Sequence, residues 1–485
     1  MAEARNDEIM KDREKVILLG AGAAGLACAL KLSEAGKKPL IYEKSTQIGG
    51  LAKTLSFKEG NLVFRTDLGP HRFLSGNKQA YEAVRSLLEK ELLTVRRSTR
   101  QFIRGKFYDY PIRPVQAFMN IGLFRAGLLL ASYLKSAAYY RILRKSPNNF
   151  EEHIESQFGK SLGDFCMLNY TEKIIGFPCK KIHPVWANER IAGLNLLSVI
   201  RNAVLNEDEE SKKDKAAGSS PKSLVNEFHY PRYGIGSIYT RMLDHVSKKG
   251  GKLHLNAEPS RIKMAGKKIY SIEFKGGGND QGGGVEAVRN PSFVVSSIPI
   301  TELIKRITPL PPKKVRDAAG RLKWRSQIYL FLTLNKRQVT RDNWMYFPDN
   351  EIPFGRISEM RNFSRQMSPE GKTSLLVEFF VDENDATWKM GSKQLLDHAL
   401  PHLERIGFLK KEDVRNHYVI RISHAYPLYD LGFEKNLELV MGYIDKVENL
   451  TCIGRSGRFR YNNQDDSIEA GFSAAEKIIN RNSLI

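Results

Sequence analysis

The 485-residue chain has few cysteines: Cys28, Cys166, Cys179 and Cys452. They are too few and too far apart for a disulfide framework, and this usage is typical of a reducing compartment. The sequence contains no Cys-X-X-Cys pair and no His-Glu-X-X-His segment. It therefore predicts no metal site.

Long hydrophobic runs are also missing. Residues 1–14 are polar and charged, and the first apolar run starts only at Val16, which does not fit a secretory signal. The most apolar stretch, 117–140, is interrupted by Arg125 and Lys135. Because a bilayer span needs about 20 apolar residues, we expect no transmembrane helix and a cytoplasmic location.

Acidic residues are outnumbered, since 76 Lys and Arg face 54 Asp and Glu, a formal net charge of +22. Such an excess favours anionic partners, or serves solubility alone. Basic and aromatic residues mix at 96–110, but no nucleic-acid-binding motif surrounds them, so a nucleic-acid partner is not expected. Segment 113–145 has basic ends around an apolar centre. It predicts peripheral contact with an anionic membrane, a tunnel for a lipid tail, or a core-facing helix pair.

A glycine-rich turn follows a short apolar run near the N-terminus. Residues 15–19 (KVILL) are typical of a buried parallel strand, and they lead into GAGAAG at 20–25. Gly20 permits a tight turn, Gly22 lets the backbone approach a pyrophosphate, and Gly25 lets the next helix pack on the strand. The pattern predicts a dinucleotide-binding strand–helix–strand unit.

An acidic residue follows the second strand of this unit. A second strand over 38–42 ends at Glu43, whose carboxylate is placed to accept hydrogen bonds from ribose hydroxyls. A negative charge there repels a 2′-phosphate, which argues against NADP. No second strand–GxGxxG–helix unit follows. We therefore expect reduction by the substrate or by a separate donor.

Three further motifs extend the pattern. They are KSTQIGGLA at 44–52, DLGPHRF at 67–73 and GRSGRFRYNNQD at 454–465. Together with the glycine turn, they resemble the FAD-dependent amine oxidase and protoporphyrinogen oxidase-like flavoproteins, above all the UDP-galactopyranose mutase-like branch. Segments similar to that family cover nearly the whole chain, in the family's order, at 170–178, 186–194, 230–236, 294–299 and 426–429.

The resemblance implies FAD as cofactor and an α/β fold, in which a Rossmann-type FAD-binding domain carries an inserted mixed α+β substrate domain. The expected divisions are a polar tail at 1–14, FAD-binding segments at 15–75, 230–300 and 436–485, a helical cap or substrate region at 76–229 with a mobile loop at 206–223, and a substrate-domain sheet with helices at 301–435.

The residue pattern itself predicts several elements within these divisions. Helices are expected over 150–170, 186–204 and about 466–480, and a glycine-rich turn at 276–284. Apolar, β-rich runs at 327–335 and 373–380 predict strands of a second sheet.

The resemblance also implies site residues. The expected cofactor-binding positions are Gly20, Gly22, Ala24, Gly25, Glu43, Lys44, Gly50, Leu51, Gly69, Pro70, His71, Gly454, Arg455, Asp465 and Ile468. The expected catalytic residues are His71, Tyr461, Arg356 and Arg190.

Each of these side chains has a chemical rationale and an ordinary alternative. The imidazole of His71 titrates near neutral pH and suits proton exchange, or is held in a turn. The guanidinium of Arg455 matches a pyrophosphate. Arg190 and Arg356 either anchor an anionic substrate or form salt bridges. Asp465 is expected to cap the C-terminal helix.

The leading interpretation is an FAD-dependent oxidoreductase acting on a C–N or C–C bond. The sequence does not identify its substrate, for which anionic, lipid-linked and glycan-related molecules are the candidates, and its electrons pass to a separate acceptor or to oxygen. One alternative is a nucleotide-sugar mutase of the UDP-galactopyranose mutase type, without net redox. Ile175 and Gln464 stand where that branch often has Trp and Met, which counts against it. The other alternative is a flavin-containing binding protein without turnover.

Overall fold

The computed structural model describes residues 15–110, 122–142, 144–187, 226–276 and 286–481. Several sequence-based expectations lie outside these residues: the polar tail, the loop at 206–223, Arg190, and most of the glycine-rich turn at 276–284. The helix expected over 186–204 is described only to Ala187.

Strands and helices are distributed along the whole described chain. The strands are β1 Val16–Leu19, β2 Leu40–Tyr42, β3 Thr54–Glu59, β4 Leu62–Asp67, β5 Leu92–Arg96, β6 Thr99–Ile103, β7 Lys106–Asp109, β8 Glu227–Pro231, β9 Lys252–His254, β10 Glu258–Ala265, β11 Lys268–Lys275, β12 Glu286–Arg289, β13 Phe293–Ser296, β14 Ile307–Thr308, β15 Trp324–Leu334, β16 Trp344–Tyr346, β17 Arg356–Glu359, β18 Thr373–Val381, β19 Val414–Pro427 and β20 Leu450–Cys452. The helices are α1 Ala23–Glu34, α2 Lys78–Leu88, α3 Leu123–Ile142, α4 Phe150–Phe158, α5 Lys160–Cys166, α6 Leu168–Ile175, α7 Ser237–Lys248, α8 Ile300–Arg306, α9 Lys313–Arg321, α10 Ala386–Lys389, α11 Ser392–Arg405, α12 Phe433–Ile444, α13 Gly454–Gly457 and α14 Gln464–Arg481.

A parallel sheet forms the base of the nucleotide-binding fold. Its strand order is β20-β13-β1-β2-β9, and each neighbouring pair runs parallel. All four residues of β1 are buried, because helices cover both faces of such a sheet. Helices α7 and α14 pack against α1. The α/β, Rossmann-type fold class is therefore confirmed, while the domain boundaries stay a prediction.

A second, seven-stranded sheet has the order β19-β15-β18-β17-β16-β6-β7. Its central strands β15 and β18 are buried almost throughout, as the apolar runs at 327–335 and 373–380 predict. The last two strands of this sheet, β6 and the edge strand β7, come from the region expected to be helical. They form a hairpin because Arg104 and Gly105 both adopt positive φ angles, which a two-residue turn requires.

That hairpin explains the basic and aromatic cluster at 96–110. The Arg100 guanidinium lies 4.4 Å from the centre of the Phe107 ring and 2.6 Å from the Asp342 carboxylate. Ser98 Oγ also donates to Asp342, at 3.0 Å. These side chains tie the hairpin to the loop before β16, which gives Arg100 and Phe107 a structural role.

The helical region is more broken than its sequence predicts. The expected helix over 150–170 is three helices, α4, α5 and α6, separated at Gly159 and Met167. Gly159 breaks it because α3 crosses there: a Cβ on Gly159 would lie 2.6 Å from Tyr133 Cα. In the described ranges no helix is both long and apolar enough to span a membrane.

Candidate active site

The glycine turn after β1 has the geometry that its sequence predicts. Gly20 has φ +98°, and its N–H donates to Tyr42 O at 2.8 Å. A Cβ on Gly25 would overlap Gly20 O, so only glycine lets α1 begin this close to the strand. A Cβ on Gly22 would meet only Gly50, at 3.8 Å, which leaves the backbone of this turn open to a ligand.

Glu43 and the second glycine pair complete this turn. The Glu43 carboxylate is buried and accepts hydrogen bonds from Ala21 N at 2.8 Å and Ser45 N at 2.9 Å. Gly49 N donates to Ala21 O at 2.8 Å, which places the 44–52 motif beside the first turn. Lys44 is exposed. The residues expected to hold the ADP part of the cofactor thus share one surface.

Gly69, Pro70 and His71, which we call the GPH segment, follow the end of β4. Gly69 has φ +109°, and His71 N donates to Gly69 O at 2.8 Å. The Nε2 atom of His71 is inaccessible to solvent and has no hydrogen-bond partner among the described residues. Burial, with the charges of Arg455 and Arg356, lowers the pKa of His71 to about 4. His71 is therefore neutral at pH 7, which differs from the expected titration near neutrality.

Arg356, the first residue of β17, extends its side chain toward the GPH segment. Its guanidinium makes two hydrogen bonds of 2.6 Å to the Glu378 carboxylate, and both side chains are buried. Glu378 also accepts a 2.5 Å bond from Gln327 Nε2, and Gln327 Oε1 accepts from Tyr329 Oη at 2.6 Å. A Cβ on Gly69 would lie 3.2 Å from the Arg356 Nη2 atom. Arg356 thus borders the GPH segment with its charge already paired.

Arg455 lies between two tyrosines. Its guanidinium is 4.9 Å from the Tyr461 ring centre and 5.5 Å from that of Tyr426. It donates to the carbonyls of Asn462, at 2.5 and 3.2 Å, and Ala425, at 3.3 Å. Gly454, which precedes Arg455 in the chain, packs against Ala24 of α1. Contact between Arg455 and a pyrophosphate stays a prediction.

Aromatic rings connect these charged groups. Tyr426 stacks on Tyr461, with ring centres 5.9 Å apart, and lies 6.1 Å from Phe380. Trp186 packs edge-on against Tyr461 at 5.4 Å. The Arg356 guanidinium lies 5.8 Å from the Phe380 ring. His71, Arg356 and Tyr461, three of the four predicted catalytic residues, therefore belong to one neighbourhood together with Arg455.

The C-terminal helix begins beside this neighbourhood. Gln464 Oε1 accepts a 2.6 Å hydrogen bond from the buried Tyr239 hydroxyl. Asp465 and Ile468 are buried near the helix start. The cap differs from expectation: Asn463 precedes the helix, and its N–H donates to the Asp466 carboxylate at 2.7 Å. Asp466, not Asp465, provides this capping bond, because the third helical residue is the one that reaches back.

Comparison with known proteins agrees with this geometry. A family model described as flavin containing amine oxidoreductase matches residues 23–429. This chain belongs to that family. Protoporphyrinogen oxidase 2, chloroplastic/mitochondrial, of Arabidopsis thaliana is 22% identical over 96% of this chain and 94% of its own length. The L-amino-acid oxidase of Demansia vestigiata is 21% identical over 86% of this chain and 76% of its own length.

A solved structure is similar over a comparable length. The crystal structure of reduced UDP-galactopyranose mutase aligns with a TM-score of 0.78 and 25% identity, over 96% of this chain and 94% of that one. The resemblance drawn from the motifs is thereby confirmed. So are the flavin cofactor, FAD, and the conclusion that this flavin containing amine oxidoreductase is an enzyme.

The residues of this amine oxidoreductase fit the cofactor. The turn at 20–25 leaves its backbone open where a phosphate group needs N–H donors, and each Glu43 oxygen makes one bond to the protein and keeps a lone pair for a ribose hydroxyl. A buried Nε2 atom without a partner, on His71, is an atom that a bound group would satisfy.

Several buried polar residues near the site escaped the sequence analysis. Glu378, the partner of Arg356, is one. Asp67, just before the GPH segment, accepts hydrogen bonds from Thr54 Oγ1 at 2.5 Å and Tyr230 Oη at 2.6 Å. Lys173 Nζ, on α6, donates to three carbonyls of the loop after β16 at 2.5 to 2.9 Å. Asp67 stands in the 67–73 motif and Lys173 in the family-like segment 170–178, so both carried a visible signal, whereas Glu378 lies in no motif.

Proposed function

We propose that this enzyme oxidises a C–N or C–C bond of an anionic small molecule, lipid-linked or glycan-related, and passes the electrons to a separate acceptor or to oxygen. The observation that carries the proposal is the neighbourhood of His71, Arg356, Arg455 and the aromatic rings between them. It adjoins the GPH segment and the start of α14, where the family motifs imply the flavin ring.

In this proposal the cofactor is held by two groups of residues. The turn at 20–25 with Glu43 would hold the ADP part, while 49–51, 69–71 and the start of α14 would hold the flavin part. FAD, when bound, supplies the two-electron redox chemistry. The protein supplies position, charge and exclusion of water.

Arg356 and Arg455 differ in whether a neighbouring carboxylate matches their positive charge. The positive charge of Arg356 is matched by Glu378 at 2.6 Å, so Arg356 orients the wall of the site. Arg455 is bonded to carbonyl oxygens, which carry no net charge. The positive charge of Arg455 is therefore unmatched by its carbonyl partners, and it would attract an anionic group, either the pyrophosphate of the cofactor, as the motif implies, or the substrate. His71 is neutral at pH 7 and offers Nε2 as a hydrogen-bonding atom.

A flavin spectrum tests the redox proposal. The purified protein is mixed anaerobically with amines, amino acids, lipid-linked sugars and nucleotide sugars, and bleaching of the oxidised flavin band is followed. Bleaching by one class, with return of the band on admitting air, supports an oxidase. Slow return points to another acceptor. Failure of every class to bleach the band, in a protein that dithionite does reduce, counts against net oxidation.

A pair of variants tests the role of Arg455. Arg455→Met should raise KM for an anionic substrate about tenfold or more if Arg455 binds the substrate, and should lower the flavin content of the purified protein if Arg455 binds the pyrophosphate, because a charge-assisted contact is lost in either case. Arg458→Met is the matched control. Arg458 lies three residues after Arg455, is half-exposed, and pairs with Asp445 at 3.3 Å. Equal effects of the two substitutions would refute the assignment.

The mutase alternative is favoured by one observation, the 0.78 TM-score alignment with reduced UDP-galactopyranose mutase. It predicts conversion of a pyranose nucleotide sugar to its furanose form by the reduced protein, without net consumption of reductant. Chromatography of UDP-sugars after incubation detects such a product. No furanose across the panel would eliminate this alternative.

We also propose a cytoplasmic location with peripheral contact at an anionic membrane. The proposal draws on the cysteine usage, the net charge of +22 and the composition of segment 113–145. Cell fractionation tests it: the protein should divide between the cytosol and salt-extractable membranes. Recovery in an exported fraction would contradict it.

A further inference from the structure

Helix α3 leaves apolar side chains in solvent along one side. Phe124 is 80% exposed, Leu128 54%, Leu134 58% and Ile142 77%. At 3.6 residues per turn, these four positions fall within about one third of the helix circumference. We call these four residues the α3 apolar face. Large apolar side chains that stay exposed together are typical of an interaction surface.

The opposite side of α3 fixes its orientation. Tyr133 and Ala137 are buried, and α3 packs there against α4 and α5. Ser161 N donates to Ser132 Oγ at 3.1 Å, and the α3 backbone passes close to Gly159. Because the helix is held by this packed side, the apolar face points away from the body of the protein.

The charge around the apolar face is positive. The sequence of α3 contains no Asp or Glu. Lys135 is exposed within the same sector of the helix, and Arg144 and Lys145 are exposed just past its end. Lys145 Nζ donates to the Tyr139 hydroxyl at 3.1 Å. Tyrosine and lysine at the end of an apolar helix are typical of the boundary between acyl chains and headgroups.

Among the residues that the structure describes, the glutamates that act on α3 face its packed side. Glu155 and Glu152 of α4 act on Tyr140, and with burial they raise the pKa of that phenol to about 12. Tyr140 is on the same side of α3 as Tyr133, opposite the apolar face. A negatively charged surface that approaches the apolar face therefore meets Lys135 before it meets these carboxylates.

Charge also decides between a membrane and a second copy of the chain. A two-fold dimer through α3 would bring the Lys135 and Lys145 side chains of both copies to one interface, in a protein with a net charge of +22. Like charges there oppose association. Anionic lipid complements the same charges. The helix is not apolar enough to span the bilayer, so it would lie in the surface.

We propose that α3 docks this enzyme on an anionic membrane, with Phe124, Leu128, Leu134 and Ile142 among the acyl chains and Lys135, Arg144 and Lys145 at the headgroups. The docking gives a physical basis to the peripheral contact in the proposed function. It depends on no particular substrate.

Vesicle sedimentation of the purified full-length holoenzyme tests the docking. The protein should pellet with vesicles of phosphatidylcholine and phosphatidylserine, and should do so weakly with phosphatidylcholine alone. Raising the salt concentration should reduce binding, because the lipid charges are screened. The double substitution Leu128→Ser with Leu134→Ser should weaken binding about tenfold or more, since two apolar side chains no longer enter the bilayer.

Two exposed leucines elsewhere provide the matched control. Leu310 is 67% exposed before α9, and Leu439 is 43% exposed on α12. The double substitution Leu310→Ser with Leu439→Ser should bind vesicles like the unmodified protein. Lys135→Glu should lower binding to the anionic vesicles alone. Thermal unfolding should be unchanged in all three variants, because every substituted side chain is exposed.

Three results would overturn the proposal. The first is no sedimentation with anionic vesicles at low salt. The second is an equal loss of binding in both leucine variants, which shows that no particular face is used. The third is a dimer in solution that the Leu128→Ser, Leu134→Ser variant converts to monomer, which makes the face an interface between copies. Vesicle binding is measured without turnover, so failure here leaves the redox proposal standing, and the reverse also holds.

Discussion

Asp67 makes the stability of this enzyme depend on pH in an unusual direction. Its carboxyl group is fully buried at the end of β4, where it accepts hydrogen bonds from Thr54, Tyr230 and the backbone N–H of Ile235. These bonds favour the ionised form, but burial opposes it more strongly. The pKa of Asp67 is raised from 3.8 to about 7.

The direction of this pH dependence follows from the proton that the protein takes up when it folds. At pH 5 Asp67 is protonated in the folded protein and ionised in the unfolded chain, whereas at pH 8 it is ionised in both. Folding therefore takes up a proton at pH 5, and this contribution disappears as the pH rises through 7. With pKa values of 3.8 and about 7, the contribution at pH 5 exceeds that at pH 8 by about 3 kcal/mol.

The substitution Asp67→Asn removes this titration while keeping the shape of the protonated acid. Unfolding in urea at pH 5 and pH 8 gives the difference between the two proteins, in which other titrating groups cancel. The variant should gain about 3 kcal/mol relative to the unmodified protein between pH 5 and pH 8. Asp445→Asn is the control, because Asp445 is largely exposed and makes one surface ion pair. An Asp67→Asn difference that is the same at both pH values would refute the reasoning.

Three further substitutions test the site by simpler measurements. Gly25→Ala should abolish flavin retention on gel filtration because its Cβ overlaps Gly20 O, whereas Gly442→Ala, with no atom within 4 Å of its Cβ, should retain flavin. Glu378→Gln should lower the free energy of unfolding by about 3 kcal/mol in a urea titration, since Arg356 is left as an unpaired buried charge. Lys173→Met should lower it by about 2 kcal/mol, because buried carbonyls lose their donor; no change would contradict the role of these bonds.

The parts of the fold that the sequence predicts are those defined by local pattern. The turn at 20–25 needs glycine for reasons within a few residues, so β1, α1 and their connection follow from the sequence. The same holds for the C-terminal helix, predicted at 466–480 and found at Gln464–Arg481. The buried runs of β15 and β18 are equally local, because continuous apolar stretches of this length suit the centre of a sheet.

The parts that escaped prediction depend on contacts across long sequence distances. Glu378 pairs with Arg356 because β17 and β18 place the two residues directly opposite each other, and no local pattern gives that register. Tyr230 reaches Asp67 across 163 residues. The breaks between α4, α5 and α6 depend on α3 crossing at Gly159. Each of these features becomes visible only when the tertiary arrangement is known.

The electrostatics of the site illustrate the same distinction. The sequence gives His71 a role in proton exchange, Arg356 a role in anchoring an anionic substrate and Arg455 a contact with the pyrophosphate, but it does not show which of these charges is free. The structure separates them: burial keeps His71 neutral, and Glu378 matches Arg356. Arg455 bonds to carbonyl oxygens, so it retains an unmatched positive charge beside Tyr461. Under the proposed function, an anionic group, either the pyrophosphate of the cofactor or a negative group on the substrate, would be drawn to the Arg455 end of the site.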